Sequence, residues 1–240
     1  MITTIHRLPI VFGLVNFLLW FSISNQPARA AEFIPLGDLA NGQFASYAFA
    51  TSGDYKRLVV VGVGSSGLGA EAFYWTPASG MVGMGDLPDD IFHSGAFGVS
   101  ADGSVIVGKG TSDSGGEAFR WEAGPMSCEA GQMNCEEGQM SLAAGQMIAL
   151  GDLHGGDFGS GAWDVSGDGS VIVGEGTSEA SSPQWHAFRR EGEVMTPLGE
   201  PQDRVTLSRA NGISNDGSVV VGSWTVPTNR EEAFRWEGGR

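Results

Sequence analysis

The stretch Gly95–Gly108, reading Gly-Ala-Phe-Gly-Val-Ser-Ala-Asp-Gly-Ser-Val-Ile-Val-Gly, constrains the fold more than any other part of this chain. Two short apolar runs flank Asp102-Gly103, a strong local signal for a β-hairpin, and this pairing predicts a two-residue primed turn. The stretch returns as Ala162–Gly174 around Asp168-Gly169 and as Ala210–Gly222 around Asp216-Gly217. A worn copy, Ala48–Gly62, has Gly53-Asp54-Tyr55-Lys56 in place of the turn, which predicts a longer or distorted hairpin there. The closing glycines Gly62, Gly108, Gly174 and Gly222 are 46, 66 and 48 residues apart. Such a period belongs to propeller blades and β-arrays, in which one unit cannot bury its apolar face alone.

Each unit adds two further pieces: a Leu-Gly-Asp-Leu-like strand end and a strand of the type Glu117-Ala118-Phe119-Arg120-Trp121. Period-2 alternation puts Phe119 and Trp121 on one face and Ala118 and Arg120 on the other. Val105 and Val107 likewise share a face, with Ile106 opposite. Apolar residues on both sides describe a sheet sandwiched between neighbours. The expected fold is therefore all-β: a repeat array of four-stranded antiparallel units, closing as a four-bladed propeller-like ring or, alternatively, left as an open arc or a fragment of a longer array. The units are read as 36–84, 85–150, 151–198 and 199–240. The last lacks a Leu-Gly-Asp-Leu strand of its own, and residues 33–39 are expected to complete it and so remove exposed edges.

The 66-residue gap reflects an insertion at 124–147, within which 127–147 is three copies of a heptapeptide ending in Gly-Gln-Met. Glycine in every copy and the short run exclude a coiled coil, leaving a surface loop between the third and fourth strands. Cys128 and Cys135, the two cysteines of the chain, both lie there. They can pair in an oxidising compartment, but they make neither a disulfide framework nor a zinc site.

Residues 1–30 read as a signal peptide. His6 and Arg7 precede an apolar run, Leu8–Ile23, and a small-residue cleavage motif, Ala28-Arg29-Ala30, follows. The expectation is export after cleavage near Ala30, to a secreted, cell-surface or periplasmic location, and a mature chain that is not a membrane protein. The whole chain carries a net charge of −15; without residues 1–30 it has 11 basic and 28 acidic residues, a net −17. A surface that acidic repels phosphate backbones and excludes nucleic acid as a partner class. An extracellular or cell-surface ligand is the expected kind of partner.

The His186-Ala187-Phe188 triplet, its Glu-Ala-Phe-Arg-Trp variants, the Val-Ser-Ala-Asp-Gly-Ser-Val-Ile-Val-Gly core and the Leu-Gly-Asp-Leu ends resemble the HAF-repeat family of bacterial extracellular repeat proteins. The resemblance covers 33–240. It implies secretion or surface display and a propeller-like β-array, and it brings no catalytic residues. Arg190, where the third unit should have tryptophan, departs from the pattern, as does the eroded first turn.

Candidate chemistry is sparse. Asp164, Ser166, Asp168 and Glu175 match calcium-loop spacing at positions 1, 3, 5 and 12, with Gly169 at 6. The second and fourth units have Gly98 and Lys109, and Gly212 and Ser223, at the first and last of these positions, so coincidence is the plainer reading. No catalytic residue, resident cofactor or nucleophile motif is expected. Arg120, Arg189 and Arg235 recur at one position and Asp38, Asp86, Asp152 and Glu200 at another. An Arg120–Asp86 pair fixing strand register is the expected reason, and an arginine ring for an acidic ligand the alternative. His93, His154 and Asp157 break the pattern in loops. Three functions follow: a structural or ligand-binding surface module first, then a hydrolase using carboxylates at the propeller mouth, then a calcium-dependent adhesion module. Function is expected where the copies disagree.

Overall fold

The computed structural model describes residues 31–53, 57–88, 91–128, 140–155, 157–178, 185–199, 207–226, 228 and 230–238, with 124–128 and 140–144 described by backbone alone. The signal segment 1–30, the eroded turn residues Asp54–Lys56 and Cys135 lie outside these, as does the side chain of Cys128. No α-helix occurs among the described residues, and none of their segments is a helix long and apolar enough to cross a membrane.

Fifteen strands form four separate antiparallel sheets in chain order. The first holds β1 (Ser46–Thr51), β2 (Val60–Ser65), β3 (Ala70–Thr76) and β4 (Gly80–Gly83). The second holds β5 (Gly95–Val99), β6 (Val105–Ser112), β7 (Gly115–Cys128) and β8 (Met140–Ala149). β9 (Ser160–Val165), β10 (Val171–Thr177), β11 (Trp185–Glu191) and β12 (Val194–Pro197) make the third. β13 (Leu207–Ile213), β14 (Val219–Thr225) and β15 (Glu231–Glu237) make a three-stranded fourth. The insertion lies between the third and fourth strands, but 124–128 and 140–147, expected as surface loop, instead extend β7 and β8 into a longer ladder reaching Cys128↔Met140.

The repeated turn is not the two-residue turn the Asp-Gly pair suggests. Ser100 and Val105 face each other across a four-residue loop: Ser100 N–H donates to the Val105 carbonyl (2.8 Å), and Gly103 N–H to the Ser100 carbonyl (3.0 Å). Only the glycine takes positive φ, +75° at Gly103, +73° at Gly169 and +72° at Gly217. Asp102 serves instead through its carboxylate, which accepts Ser100 Oγ (2.8 Å), Ser104 N–H (3.0 Å) and Ser104 Oγ (2.7 Å). Ser-x-Asp-Gly-Ser is thus the turn's working unit.

The two-faced alternation holds. Val59, Val61, Ala72 and Tyr74 of the first sheet pack against Ala96, Ile106, Phe119 and Trp121 of the second. Val105, Val107 and Ala118 on the second sheet's other face meet Ala162, Ile172 and Phe188 of the third, and Val173 and Ala187 meet Ala210 and Val220 of the fourth. Every sheet therefore presents a Phe-bearing leading face and a Val/Ala trailing face. The Phe of one strand lies across a glycine of its neighbour, in the register pairs Gly62↔Phe73, Gly108↔Phe119, Gly174↔Phe188 and Gly222↔Phe234. A Cβ on Gly108 would lie 2.0 Å from the Gly95 carbonyl oxygen and 2.6 Å from the Phe119 ring. The glycine closing each Val-Ile-Val-Gly run is the seat of the ring.

Hydrogen bonds then lock one sheet to the next. Ser94 and Ser160, both fully buried, open the first strands of the second and third units. Each accepts the N–H of the preceding sheet's third strand (Ala72 to Ser94 Oγ, Ala118 to Ser160 Oγ, both 3.0 Å). Each donates to the carbonyl of the glycine in the Gly-Asp-Leu segment before it, Gly85 or Gly151, at 2.6 Å. Ser208 takes the Ala187 N–H in the same way at 2.8 Å. At the opposite end, turns join turns: Ala101 N–H donates to the Gly167 carbonyl and Gly167 N–H to the Asn215 carbonyl, each 2.9 Å.

Two expectations need correction here. Asp86 does not pair with Arg120. Its carboxylate accepts backbone N–H groups from Leu87 (2.8 Å), Thr111 (3.0 Å) and His93 (2.6 Å), fastening the loop after the fourth strand. Asp152 does the same with Leu153, Thr177 and Gly159. Arg120 instead pairs with Glu122 on its own strand (2.7 Å) and reaches the Gly169 carbonyl of the next unit's turn (2.9 Å). Second, residues 33–39 form no strand and do not complete the fourth sheet. Leu39 is buried against Gly64, and the Gly37 carbonyl accepts from Ser46 Oγ (3.1 Å), both within the first unit. Among the described residues no strand pairing joins the fourth sheet to the first, and Val221 is 47 % exposed where Val61, Val107 and Val173 are 0 %. The arrangement matches the open arc.

Ser160→Ala leaves the buried Ala118 N–H and the half-buried Gly151 carbonyl without Ser160 as partner, so it should lower unfolding free energy by about 2 kcal/mol. Ser46→Ala, at the equivalent place with no sheet before it, should cost under about 0.5 kcal/mol. Urea denaturation of both variants checks the contrast; equal losses would contradict the inter-sheet role.

Candidate binding surface

Each unit's first strand carries one extra residue. The ladders of β1, β5, β9 and β13 shift register between Ala48 and Ala50, Ala96 and Gly98, Ala162 and Asp164, and Ala210 and Gly212. The bulged residues are Phe49, Phe97, Trp163 and Asn211. A bulge re-aims its side chain out of the ladder, and here three of them meet. Phe49 and Phe97 have ring centroids 5.4 Å apart, and Phe97 and Trp163 4.7 Å apart. The row ends on Arg209, whose guanidinium lies 4.6 Å from the Trp163 ring centroid.

The second strands contribute Val63, Lys109, Glu175 and Ser223, each opposite the recurring alanine of the third strand in its unit. Glu175 holds Arg209 by a two-pronged pair, Nε to Oε2 at 2.7 Å and Nη2 to Oε1 at 2.8 Å. That hydrogen bond pushes the Arg209 pKa further above its ordinary value. Lys109 Nζ sits 5.1 Å from the Trp185 ring centroid and has no carboxylate partner among the described residues. The Trp163 indole Nε1 is buried without a hydrogen-bond partner.

Two clefts open on this surface and share Lys109. One, about 610 Å³, is apolar and walled by Tyr47, Phe49, Val63 and Phe97, with His93 and Thr111 at its margin. The other, about 540 Å³, is mixed in polarity, with Glu175, Trp185, Arg209, Asn211 and Glu231. The positions where the units disagree thus converge, graded from aromatic at the first unit to charged at the last. The bulges were hidden in the sequence, because an extra residue breaks the two-residue period that reveals a strand face. The disagreement itself was the usable signal.

The calcium-loop residues are drawn apart by other duties. Asp164 accepts N–H groups from Val165 (2.8 Å) and from Ile213 of the next unit (2.9 Å); burial raises its pKa despite both. Ser166 and Asp168 belong to the turn, and Glu175 belongs to Arg209. No group of three His, Cys, Asp or Glu residues that could hold a metal ion exists among the described residues. Asp102, Asp168 and Asp216, with Gly103, Gly169 and Gly217, are turn scaffold in all three units. His93 and His154 sit in junction loops of different units. Asp157 offers its backbone carbonyl to Thr177 in the second of these. The recurrent arginines form no ring: Arg189 and Arg235 pair with Glu191 and Glu237 on their own strands, as Arg120 does with Glu122. The chain matches no protein-family model, and no curated protein is similar to it in sequence.

The turn carboxylates make stability pH-dependent. Ser166 Oγ, then the Ser170 N–H and Oγ, lower Asp168 from its ordinary 3.8 to about 2. Burial works against the shift at Asp102, but the Ser104 and Ser100 bonds outweigh it and hold that group low too. A carboxyl lowered on folding stabilises the fold above the unfolded value and loses that contribution as pH falls through the folded one. Asp168→Asn should therefore melt below the wild type at pH 6, by about 1 kcal/mol for an exposed, water-screened turn. The gap should narrow steadily as pH falls from 4 towards 2 in thermal melts; a gap undiminished at pH 2 would assign it to something other than the charge.

Proposed function

We propose that this chain is an exported repeat protein, similar to HAF-repeat proteins, that works by binding a ligand along the inner strands of an open β-array and performs no chemistry on it. The apolar run and cleavage motif of residues 1–30 support export, and the acidic composition suits an extracellular setting. The observation that carries the binding reading is the convergence of divergent positions on one surface. Residues that build sheets recur in every unit, while Tyr47, Phe49, Phe97, Lys109, Glu175 and Arg209 differ from unit to unit and line the clefts, with Trp163 between Phe97 and Arg209. Scaffold repeats for packing; a recognition surface must vary, because its ligand does not share the repeat. Tyr47 and Phe49 remain 64 % and 52 % exposed, a cost in apolar surface that ligand contact would offset.

The apolar cleft calls for a ligand with an aromatic or aliphatic body. Titration with 1-anilinonaphthalene-8-sulfonate, an aromatic anion, should give saturable binding to residues 31–240. Phe97→Ala should weaken it about tenfold, the loss of roughly 1.4 kcal/mol of aromatic contact, and Asp168→Asn should leave it unchanged. Equal binding by Phe97→Ala would move the ligand site elsewhere.

A further inference from the structure

The junction that joins successive units exists in half-finished form at both ends of the array. At an interior junction, the fourth strand brings an N–H to the carbonyl of the third-strand alanine: Met84 to Ala72 (2.8 Å), Leu150 to Ala118 (2.9 Å), Leu198 to Ala187 (2.9 Å). A glycine in left-handed conformation follows, Gly85, Gly151 or Gly199, with φ +80°, +76° and +77°. The next unit's serine then donates to that glycine's carbonyl where the bond is seen, and accepts the alanine N–H.

Leu36-Gly37 already holds this shape. Gly37 has φ +85°, and Ser46 Oγ donates to its carbonyl, as Ser94 and Ser160 do to theirs. The Leu36 N–H has no third-strand alanine to meet, and among the described residues no alanine N–H reaches Ser46. The leading face beside it is uncovered: Ala48 is exposed, whereas Ala96, Ala162 and Ala210 are fully buried.

The fourth sheet offers the counterpart. Ala233 occupies the register of Ala72, Ala118 and Ala187, so its N–H and C=O point out of the sheet edge at β15. Ala233 is exposed and Val221 half-exposed, where their equivalents in the other three sheets are 0–3 % exposed. We propose that a second copy of this chain docks head to tail here, its Leu36-Gly37 segment and Ser46 completing the β15 edge and its leading face covering Val221 and Ala233. The occupant follows from continuity: the missing surface is the one this chain has already built three times between its own units. Such a contact is heterologous, so it propagates into a ring or a filament.

Two variants test it, each spoiling one side. Val221→Arg blocks the trailing face and Leu36→Glu the leading segment. Wild-type residues 31–240 should gain mass by sedimentation velocity between about 1 and 100 µM, and each variant alone should stay monomeric. Mixed in equal amounts the two should form a dimer and nothing larger, since each keeps the side the other lacks. Hydrogen exchange at Ala233 reads the same event: its amide should gain at least tenfold protection only in the assembled wild type or the mixture. A wild type monomeric throughout, a mixture without dimer, or an Ala233 amide already protected in the monomer would overturn the proposal, the last by showing closure within one chain.

Discussion

Every other feature depends on one constraint: each sheet is apolar on both faces and is too thin to bury either by itself. A strand such as Val105-Ile106-Val107 sends Ile106 into one interface and its two valines into the other. A single unit made this way would leave a whole face wet, so stability belongs to the stack. The Phe-over-glycine pairs make the stacking close. With no Cβ at Gly108, the Phe119 ring lies flat on its own sheet, so its outer side can receive the valines and alanine of the neighbouring sheet. The serine and turn hydrogen bonds then set direction, since each joins a third strand or a turn to the unit that follows and to no other.

That constraint was legible because it is periodic. Phe119 and Trp121 opposite Ala118 and Arg120, the two-faced valine runs and the position of the insertion all follow from alternation and from comparing copies. Roles set by tertiary contact were not. Asp86 and Arg120 recur together, and recurrence in a repeat array suggests partnership, yet each answers to a separate backbone. Asp86 ties two N–H groups of its own loop and that of Thr111 on β6, and Arg120 reaches the next turn. The serine clamp had a signal that alternation ignores: Ser46, Ser94, Ser160 and Ser208 each stand two residues before an alanine that opens a first strand. A lone small polar residue at a strand start reads as loop until the sheet in front of it is known.

The bulges carry the division of labour between scaffold and surface. One extra residue per first strand removes Phe49, Phe97, Trp163 and Asn211 from the packing rules that govern their neighbours. Freed from the ladder, these positions could diverge at no cost to the stack. Positions inside the ladder could not: Gly62, Gly108, Gly174 and Gly222 are identical because a side chain at any of them would strike a carbonyl about 2 Å away.

Asp164 shows how the two regimes meet. It occupies a position held by Ala50, Gly98 and Gly212 elsewhere, and burial raises its carboxyl pKa from the ordinary value. The Ile213 N–H of the next unit satisfies it, so the third junction carries a bond the others lack. The same junction carries the Glu175–Arg209 pair and the Arg209–Trp163 contact. Polar specialisation is therefore concentrated between the third and fourth sheets. The first and second meet through aromatic and aliphatic contacts around Phe49 and Phe97. An array built from one interface has acquired two chemically different ends to its inner surface, and a ligand laid along it would be read in one orientation only.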